Sequence, residues 1–321
     1  MKLLVTGGAG FIGSHFIRQW FLVHPDDEII NLDILTYAGR LENLSDVESN
    51  PKYRFVKGDI CDEKLVAELI EEVDLVVHFA AESHVDRSIE SSKDFIRSNV
   101  EGTRVLLEAA RKKNIPPRFH HVSTDEVFGS LKLDDKKFTE LSSYDPRSPY
   151  SASKAASDHL ARAYFHTYGL PITISNCSNN YGPYQFPEKL IPRFVTNILL
   201  DKKLPLYGQG ENVRDWIYVI DHVEGIMKVI AQGRIGETYC LGGDNELNNL
   251  TIAKEILKLL DKDEAMVEYV ADRLGHDLRY AIDYTKARTE LNWSPNTTFT
   301  EGLKHTTEWY KNNKTWWQSL I

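Results

Sequence analysis

Residues 1–13 read MKLLVTGGAGFIG, and an acid, Asp33, stands 20 residues after Gly13. Lys2–Thr6 is a short apolar run, Gly7, Gly10 and Gly13 punctuate the turn beyond it, and an amphipathic stretch begins at Phe11. Glycine permits a tight turn and lets the backbone come close to a pyrophosphate. A helix starting there offers unpaired N–H groups and a partial positive charge to that anion. An acid ending the second strand can accept hydrogen bonds from an adenosine ribose and repels a 2′-phosphate, so the pattern predicts NAD rather than NADP. A glycine turn alone is weak; strand, turn, helix and distal acid together point to a dinucleotide site.

Working outward, candidate strands fall at Lys2–Thr6, Glu28–Asp33, Tyr53–Gly58, Asp74–Phe79, Arg118–Ser123 and Ile172–Asn176. Candidate helices include Phe11–Phe21, Asp94–Lys113 and Ser151–Tyr168; the segment between the second and third strands has no clear period. This alternation predicts an α/β fold, a doubly wound parallel sheet of the Rossmann type. After about Tyr181 proline and glycine become frequent, and helical patterns return at Phe194–Leu200, Val223–Ala231, Ile252–Leu260 and Phe299–Tyr310. The expected division is an NAD-binding domain over 1–180 and a smaller α/β substrate domain over 181–321. Segments of the second could cross back to the first sheet.

The net charge is −9, from 38 basic and 47 acidic residues, with no basic stripe, which argues against nucleic acid as partner. No run approaches the roughly 18 apolar residues of a membrane helix. Glycines break the N-terminal apolar run too early for a signal peptide, so a cytoplasmic protein is expected. Cys61, Cys177 and Cys240 form no CxxC pair, and with no HExxH or Cys/His cluster no metal is expected.

Tyr150 and Lys154 stand in YSASK at the start of a helix, where i and i+4 share a face. A lysine there, with a nicotinium cation, would favour tyrosinate. Bringing a tyrosine from pKa ~10 to about 7 takes roughly 4 kcal/mol. The product is a base able to take a hydroxyl proton as hydride leaves the same carbon. A second copy, Tyr53–Lys57, lies in a candidate strand, where its ends are about 13 Å apart, and reads as structural. Ser123-Thr124-Asp125-Glu126 ends the fifth strand, at the ligand-binding edge of such a sheet. Thr124 can polarise a developing carbonyl. Paired acids are usually solvated loop residues, but beside a redox tyrosine Asp125 and Glu126 can divide the work of removing water.

With GGAGFIG, these blocks and AAESHVDRS (80–88), STDEVFG (123–129), NNYGPYQFPEKLIP (179–192), RDWIYV (214–219) and GHDLRYAID (275–283), the chain resembles the dTDP-glucose 4,6-dehydratases. That family belongs to the extended short-chain dehydrogenase/reductase group. The resemblance implies a Rossmann domain with a nucleotide-sugar domain, NAD as cofactor, dTDP-glucose as substrate, a homodimer and a product feeding deoxysugars such as rhamnose. It implies that Tyr150 takes the C4 hydroxyl proton, Thr124 bonds the 4-keto oxygen, Glu126 removes the C5 proton, Asp125 protonates the departing C6 hydroxyl, and Lys154 orients the cofactor ribose. Implied cofactor contacts are Gly7, Gly10, Phe11, Ile12, Gly13, Asp33, Leu35, Thr36, Asp59, Ile60, Phe79, Ala80, Ala81, Ser83, Ser98, Tyr150, Lys154 and Asn180. Implied substrate contacts are Ser83, His84, Ser123, Thr124, Asn179, Lys189, Leu190, Pro205, Leu206, Tyr207, Arg214, Asn249, Arg273 and His276. The chain departs from the family's RPGHD, having Leu274 for proline.

Nucleotide-sugar 4-epimerases keep the tyrosine, lysine and Ser/Thr but lack this acid pair, and decarboxylases resemble TSEVYG, with serine at the place of Asp125. Asp125 therefore carries the choice of dehydratase over a 4-epimerase. A cofactor-sensing protein without chemistry would typically lose the tyrosine or lysine. Thymidine and uridine nucleotides differ by one methyl, worth only about 1–3 kcal/mol, so a UDP-glucose 4,6-dehydratase stays open. His120-His121 is expected to place one ring in the core and one toward the site or solvent. Trp316-Trp317 would cap the second region or form a contact patch. The helices over 94–113 and 151–168 are those the resemblance assigns to a dimer's four-helix bundle.

Overall fold

Lys2–Thr6 forms β1 and Phe11–Val23 forms α1 in the computed structural model, which describes residues 1–272 and 275–321. The alternation continues through β2 (Glu28–Asp33), β3 (Tyr53–Lys57), α2 (Glu63–Glu71), β4 (Leu75–His78), α3 (Val85–Glu90), α4 (Lys93–Phe95), α5 (Thr103–Lys112), β5 (Arg118–Thr124), α6 (Pro149–Tyr168) and β6 (Ile172–Cys177). Local chemistry sets the helix ends. The Asp62 carboxylate accepts from the N–H groups of Lys64 and Leu65 at the start of α2. Ser148 and Ser151 make a reciprocal capping box at the start of α6, Pro149 occupies its first turn, and Gly169 ends it in the left-handed region at φ 69°.

The main sheet has seven strands, in the order β10-β6-β5-β4-β1-β2-β3, all paired in parallel, with β10 (Thr238–Leu241) contributed from the second half of the chain. Successive strands step outward from β1 on one side and from β4 on the other. The direction of winding reverses between these two, and there a crevice opens beyond the strands' carboxyl ends. Both sheet faces are covered, so central strands are apolar throughout: Leu3, Leu4, Val5, Val76 and Val77 are buried. One face packs Phe16, Ile17 and Trp20 of α1 with Val223, Ile226 and Val229 of a later helix. The other packs Val66, Leu69 and Ile70 of α2 with Val105, Leu106 and Ala161.

The second half runs β7 (Asn179–Tyr181), α7 (Leu190–Leu199), β8 (Leu204–Tyr207), β9 (Val213–Tyr218), α8 (Val219–Gln232), β10, β11 (Glu246–Asn248), α9 (Asn249–Leu259), β12 (Val267–Val270), β13 (Arg279–Tyr280), α10 (Thr285–Leu291), α11 (Phe299–Asn312) and α12 (Lys314–Trp317). β9 pairs with β7, β11 and β13, and β8 pairs with β12. A separate core around Tyr181, Phe194, Trp216, Ile256 and Tyr310 holds these pieces together.

Some expectations need correction. The helix expected over 94–113 is present from Lys93 to Lys112, but it is not α-helical throughout: Ile96–Gly102 within it is π-helical. Both His120 and His121 are fully buried, so neither ring faces solvent. His120 bonds Thr173 and Ser175, and His121 bonds Ser157 and Asp158. Trp317 is buried and donates to the Tyr310 carbonyl at 2.8 Å, closing the second core. Trp316 instead reaches the first region, donating to Asn43 Oδ1 at 2.9 Å.

Candidate active site

A cleft of about 800 Å³ lies over the carboxyl ends of β1, β4, β5 and β6. Its floor is the glycine turn. Gly7 has φ 72°, and a Cβ there would sit 2.6 Å from the Ala80 nitrogen, so only glycine fits between β1 and the segment after β4. The N-terminus of α1 has no side-chain cap, which leaves its first N–H groups for a ligand. Asp33 is buried, accepting from Ala9 N at 3.0 Å and Leu35 N at 2.8 Å. Burial pushes its carboxyl up and those two N–H groups oppose the shift. Cradle, uncapped helix and acid fit a dinucleotide.

Every expected cofactor residue except Leu35 lines this cleft. Leu35 sits in the left-handed region at φ 58° and serves Asp33 through its backbone N–H; its neighbours Ile34 and Thr36 form the wall.

The expected catalytic residues meet at the end of β5 and the start of α6. Thr124, Asp125, Glu126, Tyr150 and Lys154 all line the cleft. Asp125 is 1% exposed, and its Oδ2 has no hydrogen-bond partner among the described residues. Burial first, then the charges of Glu126 and Asp215, push its carboxyl well above the usual range, against Arg214 and the Thr124 hydroxyl. Its surroundings thus favour the protonated form of Asp125 beside Glu126. Tyr150 is also pushed well up, by burial first and then by Glu126 and Cys177, with the Thr124 hydrogen bond opposing. Lys154 donates to the Val122 carbonyl at 2.9 Å, and within the chain it is the Thr124 hydrogen bond that works to lower Tyr150. The second YxxxK copy lies in β3, where Tyr53 OH accepts from Asn31 at 2.9 Å.

A smaller chamber of about 170 Å³ adjoins the cleft, sharing Ser83, Glu126, Asn179, Glu188 and Lys189. His84, Leu190, Pro205, Leu206, Tyr207, Arg214, Asn249 and His276 complete its expected lining. Buried polar atoms without a partner among the described residues face this region: Asn179 Oδ1, Asn249 Oδ1 and Trp216 Nε1. Arg214 donates to the carbonyls of Val213 and Asp277, and its guanidinium lies 4.3 Å from the Tyr280 ring centre. Ser123 lines the main cleft, but its hydroxyl donates to Asp158 at 2.9 Å. Arg273 lies outside the described residues.

Comparison with known proteins agrees with this geometry. Residues 4–306 match the family described as GDP-mannose 4,6 dehydratase. This chain belongs to that dehydratase family. The dTDP-glucose 4,6-dehydratase of Mycobacterium tuberculosis (strain ATCC 25618 / H37Rv) is 52% identical over 322 residues, covering 100% of this chain and 96% of the relative. The crystal structure of DesIV, a dTDP-glucose 4,6-dehydratase from Streptomyces venezuelae with NAD bound, superposes with TM-score 0.97 at 53% identity, covering 100% of both chains. That of a dTDP-glucose 4,6-dehydratase from Bacillus anthracis str. Ames, in complex with NAD, gives TM-score 0.94 at 48% identity, again over 100% of both.

The dehydratase cleft also uses residues that sequence reasoning passed over. Tyr37 donates to Glu188 at 2.6 Å, and Arg87 lies 3.7 Å from the Tyr37 ring centre. These contacts join the loop after β2 to the segment before α7, across the cleft. Asn99, on the π-helical turn, donates to Ser153 Oγ at 2.8 Å and to the Glu82 carbonyl at 3.0 Å. No local sequence signal marks that turn. Asp158, at i+8 from Tyr150, did carry one in its spacing. Among the described residues, no helix is long and apolar enough to cross a membrane.

Proposed function

We propose that the chain is an NAD-dependent dTDP-glucose 4,6-dehydratase, giving dTDP-4-keto-6-deoxyglucose for deoxysugar synthesis. The observation that carries this is Asp125, a buried acid with an unpartnered Oδ2 and a carboxyl pushed up by burial, beside Glu126 in the cleft that Tyr150 and Lys154 also line. Gly7, Gly10, Gly13 and the α1 N-terminus would hold the NAD pyrophosphate, and Asp33 its adenosine ribose. NAD bound there supplies the hydride acceptor for C4, the hydride donor for C6 and a positive charge that favours tyrosinate. Tyr150 takes the C4 hydroxyl proton, and Thr124 hydrogen-bonds the resulting carbonyl oxygen. The ketone acidifies C5, and Glu126 removes that proton. Asp125 delivers its own proton to the C6 hydroxyl, which leaves as water, and C5 is reprotonated when hydride is returned to C6. The two acids differ in environment, as such a division of labour requires.

The smaller chamber would take the nucleotide end of the substrate, with Asn179, Lys189, Arg214, Asn249 and His276 as polar contacts, and Leu190, Pro205, Leu206 and Tyr207 around the base. Residues 1–180 form the cofactor domain in this reading and 181–321 the nucleotide-sugar domain, lending β10 to the first sheet. The protein would work in the cytoplasm as a homodimer, through α5 and α6.

The test is incubation with dTDP-glucose and a catalytic amount of NAD, following product mass and the alkaline absorbance of a 4-keto sugar. Loss of one water without net NADH is expected. An unchanged mass with an inverted stereocentre would make the protein an epimerase.

A further inference from the structure

Asp158 has no part in the scheme above. It lies on α6, one turn beyond Lys154 and two beyond Tyr150, and is fully buried. Four side chains converge on its carboxylate. His121 Nε2 is 3.0 Å from Oδ1; the Tyr144 hydroxyl donates to Oδ2 at 2.7 Å, the Ser123 hydroxyl at 2.9 Å and Asn176 Nδ2 at 3.4 Å. A buried carboxylate with several donors is stabilised as the anion. Burial raises its pKa, but His121, Lys154 and Tyr144 outweigh burial and hold it below the ordinary range.

The donors belong to different elements: His121 and Ser123 to β5, Asn176 to β6, Tyr144 to the segment before α6. Asn176 also donates to the Thr124 carbonyl at 3.0 Å. Asp158 therefore ties α6, which carries Tyr150 and Lys154, to the end of β5, which carries Thr124, Asp125 and Glu126.

The ammonium of Lys154 shares this interior. Burial lowers its pKa, and Asp158 and Cys177 oppose that. The titratable groups facing it are His78 of β4, His121 of β5, Cys177 of β6 and Asp158 of its own helix. Burial keeps both histidines neutral and raises the Cys177 thiol. Of these four groups, Asp158 is the one that carries negative charge.

We propose that Asp158 is a positioning residue of the reaction, whose carboxylate fixes the Thr124–Glu126 strand end against the Tyr150–Lys154 helix and keeps Lys154 as the ammonium. The inference rests on the dehydratase reading. Its test compares Asp158→Asn, which keeps the shape and removes the charge, with Tyr144→Phe, which removes one donor and keeps the charge. Turnover of dTDP-glucose and NAD affinity are measured from roughly pH 6 to 10, spanning the titration range of a lowered lysine. Asp158→Asn should lower kcat about tenfold or more with KM within about twofold, and move the alkaline limb of kcat and of NAD affinity down by about one pH unit. Tyr144→Phe should leave both limbs in place. An unmoved limb in Asp158→Asn, or an equal displacement in Tyr144→Phe, overturns the proposal. Should Asp158→Asn not fold, Asp158→Glu decides: reduced kcat with wild-type limbs supports the role, and displaced limbs contradict it. NAD affinity needs no sugar, so wild-type protein that binds NAD but leaves dTDP-glucose unchanged overturns the dehydratase reading while its limbs still test Asp158.

Discussion

At the scale of the residue, Asp125 is shut away from solvent, whereas Glu126 lines both the cleft and the smaller chamber. In the proposed reaction these two neighbouring carboxyls act as proton donor and proton acceptor. Asp125→Asn removes the donated proton but leaves oxidation at C4 to Tyr150. General acid catalysis is worth about 10²–10⁴-fold. Product release in this variant should therefore fall by ~10²-fold or more, while adding dTDP-glucose still raises the absorbance of reduced nicotinamide on the enzyme. Equal loss of both signals would remove Asp125 from the elimination. Much of this site was legible, because Thr124–Glu126 and Tyr150–Lys154 are short motifs at defined places in a βα unit. The two YxxxK copies were separable by geometry: a helix brings i and i+4 together, and β3 holds Tyr53 and Lys57 apart. What could not be read was where Lys154 points. Its hydrogen bond to the Val122 carbonyl comes from a strand far away in sequence.

At the scale of the element, the fate of Tyr150 depends on how α6 begins. Ser148 accepts from Ser151 N at 3.0 Å, and Ser151 Oγ accepts from Ser148 N at 3.0 Å. Ser148→Ala should cost ~1 kcal/mol, seen as a lower urea midpoint, with kcat per folded enzyme within about twofold. A larger loss of kcat would mean that the cap also sets the placement of Tyr150. The first six strands were legible because apolar periodicity and turn residues are local signals. β7, β11 and β13 have only two or three residues each, and their pairing with β9 is a matter of tertiary contact. β10 reads TYCL and is buried like the other strands of the main sheet, but only the fold reveals that it sits beside β6. The π-helical turn at Ile96–Gly102 likewise has no pattern that separates it from an α-helix.

At the scale of the molecule, the interior holds an unusual number of histidines. His15, His78, His120, His121 and His222 are all buried and lowered by that burial, His15 and His121 to about 4 and His222 to about 3. Unfolding frees each to its ordinary value near 6.5. Below that pH the unfolded chain binds protons that the folded chain refuses, so stability is complete above about pH 6.5 and falls as pH drops toward the folded values. Each buried histidine contributes a slope of about 1.4 kcal/mol per pH unit in that window. Asp125 and the other carboxyls that burial raises, Asp33, Glu82, Asp215 and Glu224, work in the opposite sense and lessen the slope where they titrate. The urea midpoint should be flat from about pH 7 to 8 and fall steeply between about pH 6 and 5. A midpoint that stays constant down to about pH 5 would show that these histidines are charged in the folded state.

The proposed reaction turns on hydride leaving C4 and returning to C6 of the same sugar. The direct measurement uses dTDP-glucose carrying deuterium at C4, with unlabelled NAD in catalytic amount, and locates the label in the product. Deuterium is expected on C6 of the 4-keto-6-deoxy sugar. Label still at C4 of a sugar of unchanged mass, or label in released NADH, would contradict it.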